Sequence, residues 1–278
     1  MRSIGAFVLL STVAGAAEMQ VRRDVPYAEP ASERRSLDVY YVPDTKDRPI
    51  VLWIHGGGWR RGDKSSVQRK PEALTAAGYV FVSTNYRFLP DVTLAEMTAD
   101  VARAIRWTYD HAAEFGGDRR TIVVAGHSAG AHLAALVCTD ASYLKAEGLS
   151  PADVRGCIPV DVSAYDVPKR LKDGGALPSR TVQEIFGADE ASQRRFSPAA
   201  HAADAERLPS FLILHVAERP DTKAQSEWFA AQLRQAGASA TVVAATGKTH
   251  GTINADLGLT DDPPTKKLME FLAGLRRK

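Results

Sequence analysis

The chain has 278 residues, 45% of them hydrophobic, and a formal net charge of +2. That apolar content is enough for a large core, and the near-neutral balance excludes the basic footprint of a nucleic-acid-binding protein. The basic clusters Arg34-Arg35, Arg119-Arg120 and Arg276-Arg277-Lys278 are short and scattered, and read as solvated faces.

The chain begins Met1-Arg2, continues with an apolar run from Ile4 to Ala14, and reaches the small-x-small pattern Ala14-Gly15-Ala16. This reads as a signal peptide over residues 1–17, with a secreted or periplasmic protein of residues 18–278 as the expectation. The run is too short to span a bilayer, so no stable membrane association is expected. Val21 to Tyr27 and Ser36 to Val42 read as two opening strands, joined by a turn-rich stretch, that pair as an antiparallel edge. Pro49 to Ile54 is continuously apolar and reads as a buried strand that runs into His55-Gly56-Gly57-Gly58-Trp59. A helix is expected over about 66–77, a strand over 79–85 and a long helix over 94–115. The β-branched run ending Val123-Val124-Ala125 then enters Gly126-His127-Ser128-Ala129-Gly130, and an Ala-rich helix follows to Cys138.

Val154 to Val162 reads as the next strand. Residues 163–203 break the rhythm, being too long for a simple crossover, and are expected to form a small cap contributing Tyr165 and Phe186 to a pocket. Strands at 208–216 and 240–245 and helices at 223–236 and 263–275 complete the pattern. Strands alternating with helices imply an α/β fold, a mostly parallel sheet covered on both faces, with ligands at the carboxyl ends of the strands.

The chemistry-bearing residues fall at that edge. Gly-x-Ser-x-Gly between a strand and a helix is the context that holds a serine as a nucleophile, here Ser128. Consecutive glycines after a strand let backbone N–H groups approach a developing oxyanion, so Gly57, Gly58 and Ala129 are the expected donors. The same loop lacks the Gly-Lys-Ser/Thr of a phosphate cradle. Of the seven histidines, His250 follows a strand, precedes the last helix and comes after the serine, which makes it the candidate base. His55 and His127 read as orienting their loops. His132 and His215 read as structural, and His111 and His201 as surface residues. No histidine spacing suits a metal, and neither a metal nor another cofactor is expected. The acid is open between Asp221 and Glu218 in the loop after the 208–216 strand. Asp221 is preferred for its shorter side chain at a helix start, where it also suits an N-cap. Trp59, beside the glycine loop, suits either a pocket wall or the core. Cys138 and Cys157 read as two buried free thiols, with a disulfide as the alternative in an oxidising compartment.

Taken in order, His55-Gly56-Gly57-Gly58-Trp59, Asn85-Tyr86-Arg87, Gly116-Gly117-Asp118, Gly126-His127-Ser128-Ala129-Gly130 and Thr249-His250-Gly251-Thr252-Ile253-Asn254 resemble the α/β-hydrolase esterases. The related groups are those of hormone-sensitive lipase, the feruloyl-esterase-like enzymes and the kynurenine-formamidase-like enzymes. Histidine before the serine, where hormone-sensitive-lipase relatives often carry aspartate, tilts the match toward the other two. The resemblance implies a serine carboxylesterase acting on short-chain or aromatic esters through an acyl-enzyme, with a small-molecule ester as partner. An arylformamidase-type amide hydrolase with the same triad is the alternative. A non-catalytic binding scaffold is a third reading, disfavoured because the serine, histidine, acid and oxyanion glycines are all present. Acyl length, the natural alcohol and oligomeric state are not fixed by the sequence.

Overall fold

The computed structural model describes residues 18–173, 179–205 and 207–276. The expected signal peptide over 1–17 and the Gly174-Gly175 and Pro178 part of the expected cap lie outside the described residues. Eight strands form one sheet: β1 (Gln20–Pro26), β2 (Ser36–Tyr41), β3 (Arg48–Ile54), β4 (Val80–Thr84), β5 (Gly117–His127), β6 (Val154–Val160), β7 (Ser210–Val216) and β8 (Ala240–Ala245). Their spatial order is β1-β2-β4-β3-β5-β6-β7-β8. β1 pairs with β2, and β2 with β4, antiparallel, as the expected edge requires, and the remaining pairs are parallel.

The helices are α1 (Lys70–Ala76), α2 (Leu94–His111), α3 (Ala129–Thr139), α4 (Ala141–Ala146), α5 (Val167–Lys172), α6 (Ser179–Phe186), α7 (Glu190–Arg195), α8 (Pro198–His201), α9 (Pro220–Gln235), α10 (Thr252–Ala255) and α11 (Pro263–Arg276). α1 starts four residues later than the sequence suggests, because residues up to Arg69 form turns. α2 opens with a capping box in which Thr93 accepts from the Glu96 N–H and the Glu96 carboxylate accepts from the Thr93 N–H.

Side chains alternate across the central strands and feed two cores. Ile50, Leu52, Ile54 and Val124 point to the face covered by α2, α3 and α9. Val51, Trp53, Val123 and Leu214 point to the face where Leu74 of α1 and Leu268 and Leu272 of α11 pack. Every residue of α3 is buried, which suits its mostly Ala/Leu/Val sequence, with His132 its one ionisable imidazole, and its place against β5 and β6. This rigid layer fixes the serine that precedes it. Register completes the arrangement: Ile54 lies beside Gly126, His127 beside Val160, Val160 beside Leu214, and Val216 beside Ala245. The loops after β3, β5, β6, β7 and β8 therefore emerge at one edge.

Candidate active site

Ser128 stands between β5 and α3 at φ 55° and ψ −120°, a strained conformation for a residue with a side chain. The flanking glycines explain how the chain reaches it. A Cβ on Gly126 would lie 2.5 Å from the Gly130 carbonyl oxygen, and one on Gly130 would lie 2.2 Å from that of Ile54. Strand and helix touch through bare backbone there. Gly57, at φ 129°, has no room for a Cβ against the Arg61 carbonyl. Gly57 and Gly58 line the same pocket as Ser128. The Ala129 N–H lies in the first turn of α3, where backbone donors have no partner within the helix.

His250 follows β8 and reaches across the edge. Its Nε2 is 3.0 Å from Ser128 Oγ. Its Nδ1 is 2.6 Å from Oδ2 of Asp161. The acid beside the imidazole is therefore Asp161, the first residue after β6, and neither Asp221 nor Glu218. Asp221 lies in the first turn of α9, where it accepts from Arg219 Nη2 at 3.3 Å and faces Arg170 at 3.8 Å. Glu218 accepts the Gly247 N–H at 3.0 Å. Both carboxylates are held by other partners, away from the imidazole.

Asp161 is a fully buried carboxylate. Its Oδ1 accepts the Val216 N–H at 3.0 Å, and Arg219 Nη1 converges with His250 on Oδ2. Burial works against the ionised carboxyl, but the hydrogen bonds from His250 and the Val216 N–H and the charge of Arg219 outweigh it. The carboxyl is held well below the usual carboxylate range. The sequence reading passed over Asp161 by running the strand through it to Val162. β6 ends at Val160, and Asp161 turns at φ 51°. The available signal was an ionisable residue inside the apolar run Ile158-Pro159-Val160-Asp161-Val162 at a strand's carboxyl end.

The other histidines support the loops. His127 donates from Nε2 to the His250 carbonyl at 2.8 Å, and burial together with the neighbouring His250 pulls it down to about 3. His127 is thus neutral and ties the base's loop to the β5 end. His55 donates from Nδ1 to the Gly56 carbonyl and stacks on Tyr86 with ring centroids 4.6 Å apart, and burial lowers it to about 4. His132 donates from Nε2 to the Phe196 carbonyl and is likewise lowered by burial to about 4. His215 lies buried in β7, and His111 and His201 are half-buried.

The pocket above Ser128 has a volume of about 620 Å³. It is walled by Trp53, Arg60, Arg61, Asp63 and Asn254 around the glycine loop and His250. Two expected pocket residues are elsewhere. Tyr165 is fully buried and stacks on Phe229 at 4.5 Å, inside the core beneath α9. Trp59 is 7% exposed and packs edge-on against His132 and Phe186, at 5.5 and 5.3 Å. The described part of the 163–203 insertion likewise backs the glycine loop, through Phe186 on Trp59 and an Arg60–Glu184 ion pair of 2.7 Å, and none of it lines the pocket. Among the described residues no cluster of three His, Cys, Asp or Glu side chains suits a metal, and no helix is long and apolar enough to cross a membrane. Cys138 and Cys157 are buried free thiols.

Sheet order, serine turn and carboxyl-edge site together give the chain the α/β-hydrolase fold. The BD-FAE family model matches residues 37–156, a stretch that holds the glycine loop and the serine turn. Among curated relatives, isoprenylcysteine alpha-carbonyl methylesterase of Arabidopsis thaliana is 28% identical over 87% of this chain and 58% of its own length. The probable carboxylic ester hydrolase LipM of Mycobacterium tuberculosis is 33% identical over 76% of this chain and 51% of its own length. The chain thus spans little more than half of these relatives. A solved structure, Est2 of Thermogutta terrifontis with propionate bound, described as a thermophilic esterase, superposes with a TM-score of 0.68 at 26% identity. That match covers 94% of this chain and 93% of that one.

Proposed function

We propose that the protein is a serine carboxylesterase for esters of short acyl groups, working through an acyl-enzyme. The observation that carries this reading is the continuous chain Ser128 Oγ–His250 Nε2 at 3.0 Å and His250 Nδ1–Asp161 Oδ2 at 2.6 Å, facing a glycine loop. In the reaction, Ser128 Oγ attacks the ester carbonyl as His250 Nε2 takes its proton. The tetrahedral oxyanion is met by the N–H groups of Gly57, Gly58 and Ala129. The imidazolium is stabilised by Asp161 and passes its proton to the leaving alcohol. Water then attacks the acyl-enzyme by the same route, and the acid leaves. The esterase names of the relatives and of the structural neighbour support the reaction class.

The short-acyl preference is supported by the pocket walls. Trp59, Tyr165 and Phe186 are consumed by the core, and the pocket is lined mostly by glycine and polar side chains, with Trp53 its one large apolar group among the described residues. Such a site gives a long chain little apolar surface to displace water from. The test is hydrolysis of p-nitrophenyl acetate, butyrate and octanoate, with N-formylkynurenine alongside, by wild type and Ser128→Ala. The expected result is turnover that falls from acetate to octanoate, little formamide cleavage, and loss of turnover in Ser128→Ala with an unchanged thermal melt. Full activity in folded Ser128→Ala would overturn the serine mechanism. Preferential formamide cleavage would replace the esterase reading with the amidase one.

A further inference from the structure

The loop after β7 supplies the site with a cation where the sequence suggested a carboxylate. Arg219 directly precedes α9, and Nη1 of its guanidinium lies 2.5 Å from Asp161 Oδ2 and 2.9 Å from His250 Nδ1. The Nδ1–H of His250 points to the same carboxylate oxygen, so two donors converge on Oδ2. The close approach of the guanidinium to Nδ1 is therefore a charge held against the ring and not a second hydrogen bond to it. The far side of the guanidinium is fastened by Asp221, which accepts from Nη2 at 3.3 Å and is itself faced by Arg170.

We propose that Arg219 is a positioning residue of this site, clamping the Asp161 carboxylate onto His250 and holding a positive charge against the imidazole. The inference rests on the serine-hydrolase reading above. Two effects follow from the geometry. Asp161 Oδ1 is tied to the Val216 N–H and Oδ2 to Arg219, so the carboxylate has one orientation left in which to meet the imidazole. A buried carboxylate favours positive charge on the ring beside it. A guanidinium in the same cluster opposes that pull. The arrangement also gives Asp221 a part, since it steers Arg219 without touching the base.

Other charged and titratable groups face His250 and enter the balance. His127 lies beside it, tilted by 37° at 4.5 Å between ring centroids, and is neutral, from its burial. Glu218 lies on the β7 loop and holds Gly247 of the loop that carries His250. Lys248 in that loop is paired with Asp256 and Asp262. Lys70, under the pocket, donates to the Asn254 carbonyl of α10. None of these approaches Nδ1 as Arg219 does.

The test uses Arg219→Met, which keeps the apolar stem and removes the charge, and Arg219→Lys, which keeps the charge. Two readouts are taken: the pH profile of kcat/KM, and the NMR titration of the His250 imidazole, which needs no turnover. In Arg219→Met the acid limb and the NMR midpoint should both move to higher pH, because the variant removes a cation 2.9 Å from the ring. At the plateau kcat should fall about tenfold with KM within about twofold. Arg219→Lys should restore most of the limb. A uniform fall in rate at every pH with an unmoved NMR midpoint would overturn the inference and leave Arg219 a fastening of the fold. If Ser128→Ala instead keeps turnover, the hydrolase reading fails. The NMR midpoint still decides the effect of Arg219 on the ring.

Discussion

Replacing Asp161 by asparagine removes one charge and little volume. Its carboxylate is fully buried and 2.6 Å from His250 Nδ1. The imidazolium formed during the reaction would sit with its charge roughly 4 Å from the carboxylate. At an effective dielectric constant of about 20 that attraction is worth ~4 kcal/mol. Each ~1.4 kcal/mol is tenfold in rate, so kcat should fall by about 10³. A further loss is expected because an asparagine amide can turn its NH₂ to Nδ1 and select the tautomer with the proton on Nε2, which cannot accept from Ser128. By contrast, Asp221→Asn removes a partner of Arg219 at 3.3 Å in a half-exposed ion pair, worth ~1 kcal/mol or less, and should cost no more than about fivefold. Glu218→Gln should behave similarly. The assay is p-nitrophenyl acetate hydrolysis at pH 8 on variants whose thermal melts show them folded. A loss below tenfold in Asp161→Asn, or an equal loss in Asp221→Asn, would refute the assignment of the acid.

Two further outcomes follow from burial. Trp59→Ala should destabilise the protein by about 3 kcal/mol through the cavity left between His132 and Phe186, read as a shift in the urea midpoint. The octanoate-to-acetate rate ratio should stay within about twofold of wild type, and a clear gain for octanoate would put Trp59 in the acyl wall after all. Lys70 is 1% exposed, its Nζ lies 4.6 Å from the Trp53 ring centre, and burial lowers it from 10.5 to about 7. The unfolded chain then holds this proton up to its ordinary value while the folded chain has released it. Stability should therefore rise as pH increases from about 7 toward 10, by at most ~1.4 kcal/mol per pH unit from this group. Urea unfolding at pH 7, 8 and 9 should show that slope in wild type and a flatter one in Lys70→Met. Equal slopes would show that Lys70 stays charged in the fold.

What could be read from the sequence was local, and what could not was brought together by the sheet. The serine turn announces itself within five residues, because the close approach of β5, α3 and β3 leaves no room for a Cβ at Gly126 or Gly130. The glycine loop is legible for the same reason at Gly57. His250 could be found by its place after the last strand. Asp161 has no such neighbourhood: its partners are His250, Arg219 and the Val216 N–H, at separations of 89, 58 and 55 residues. β6 and β7 are adjacent in the sheet, so the loops after both converge on His250, and either could have delivered the carboxylate. The sequence reading chose the β7 loop because it holds two carboxylates in the open. The chain instead placed an arginine there and drew the acid from a single residue at the end of an apolar strand. Tyr165 was misread, and Trp59 left open between pocket and core, for a related reason. An aromatic beside a site motif points to the pocket or to the core according to packing that lies far away in the chain, here Phe186 and Phe229. Reading the acid from sequence therefore requires asking which strands lie in the sheet between the one that carries the serine and the one that carries the base, here β6 and β7. An ionisable residue that ends a buried run on one of them is then a stronger candidate than an exposed carboxylate in the expected loop, since burial at that position costs too much to persist without partners such as His250 and Arg219.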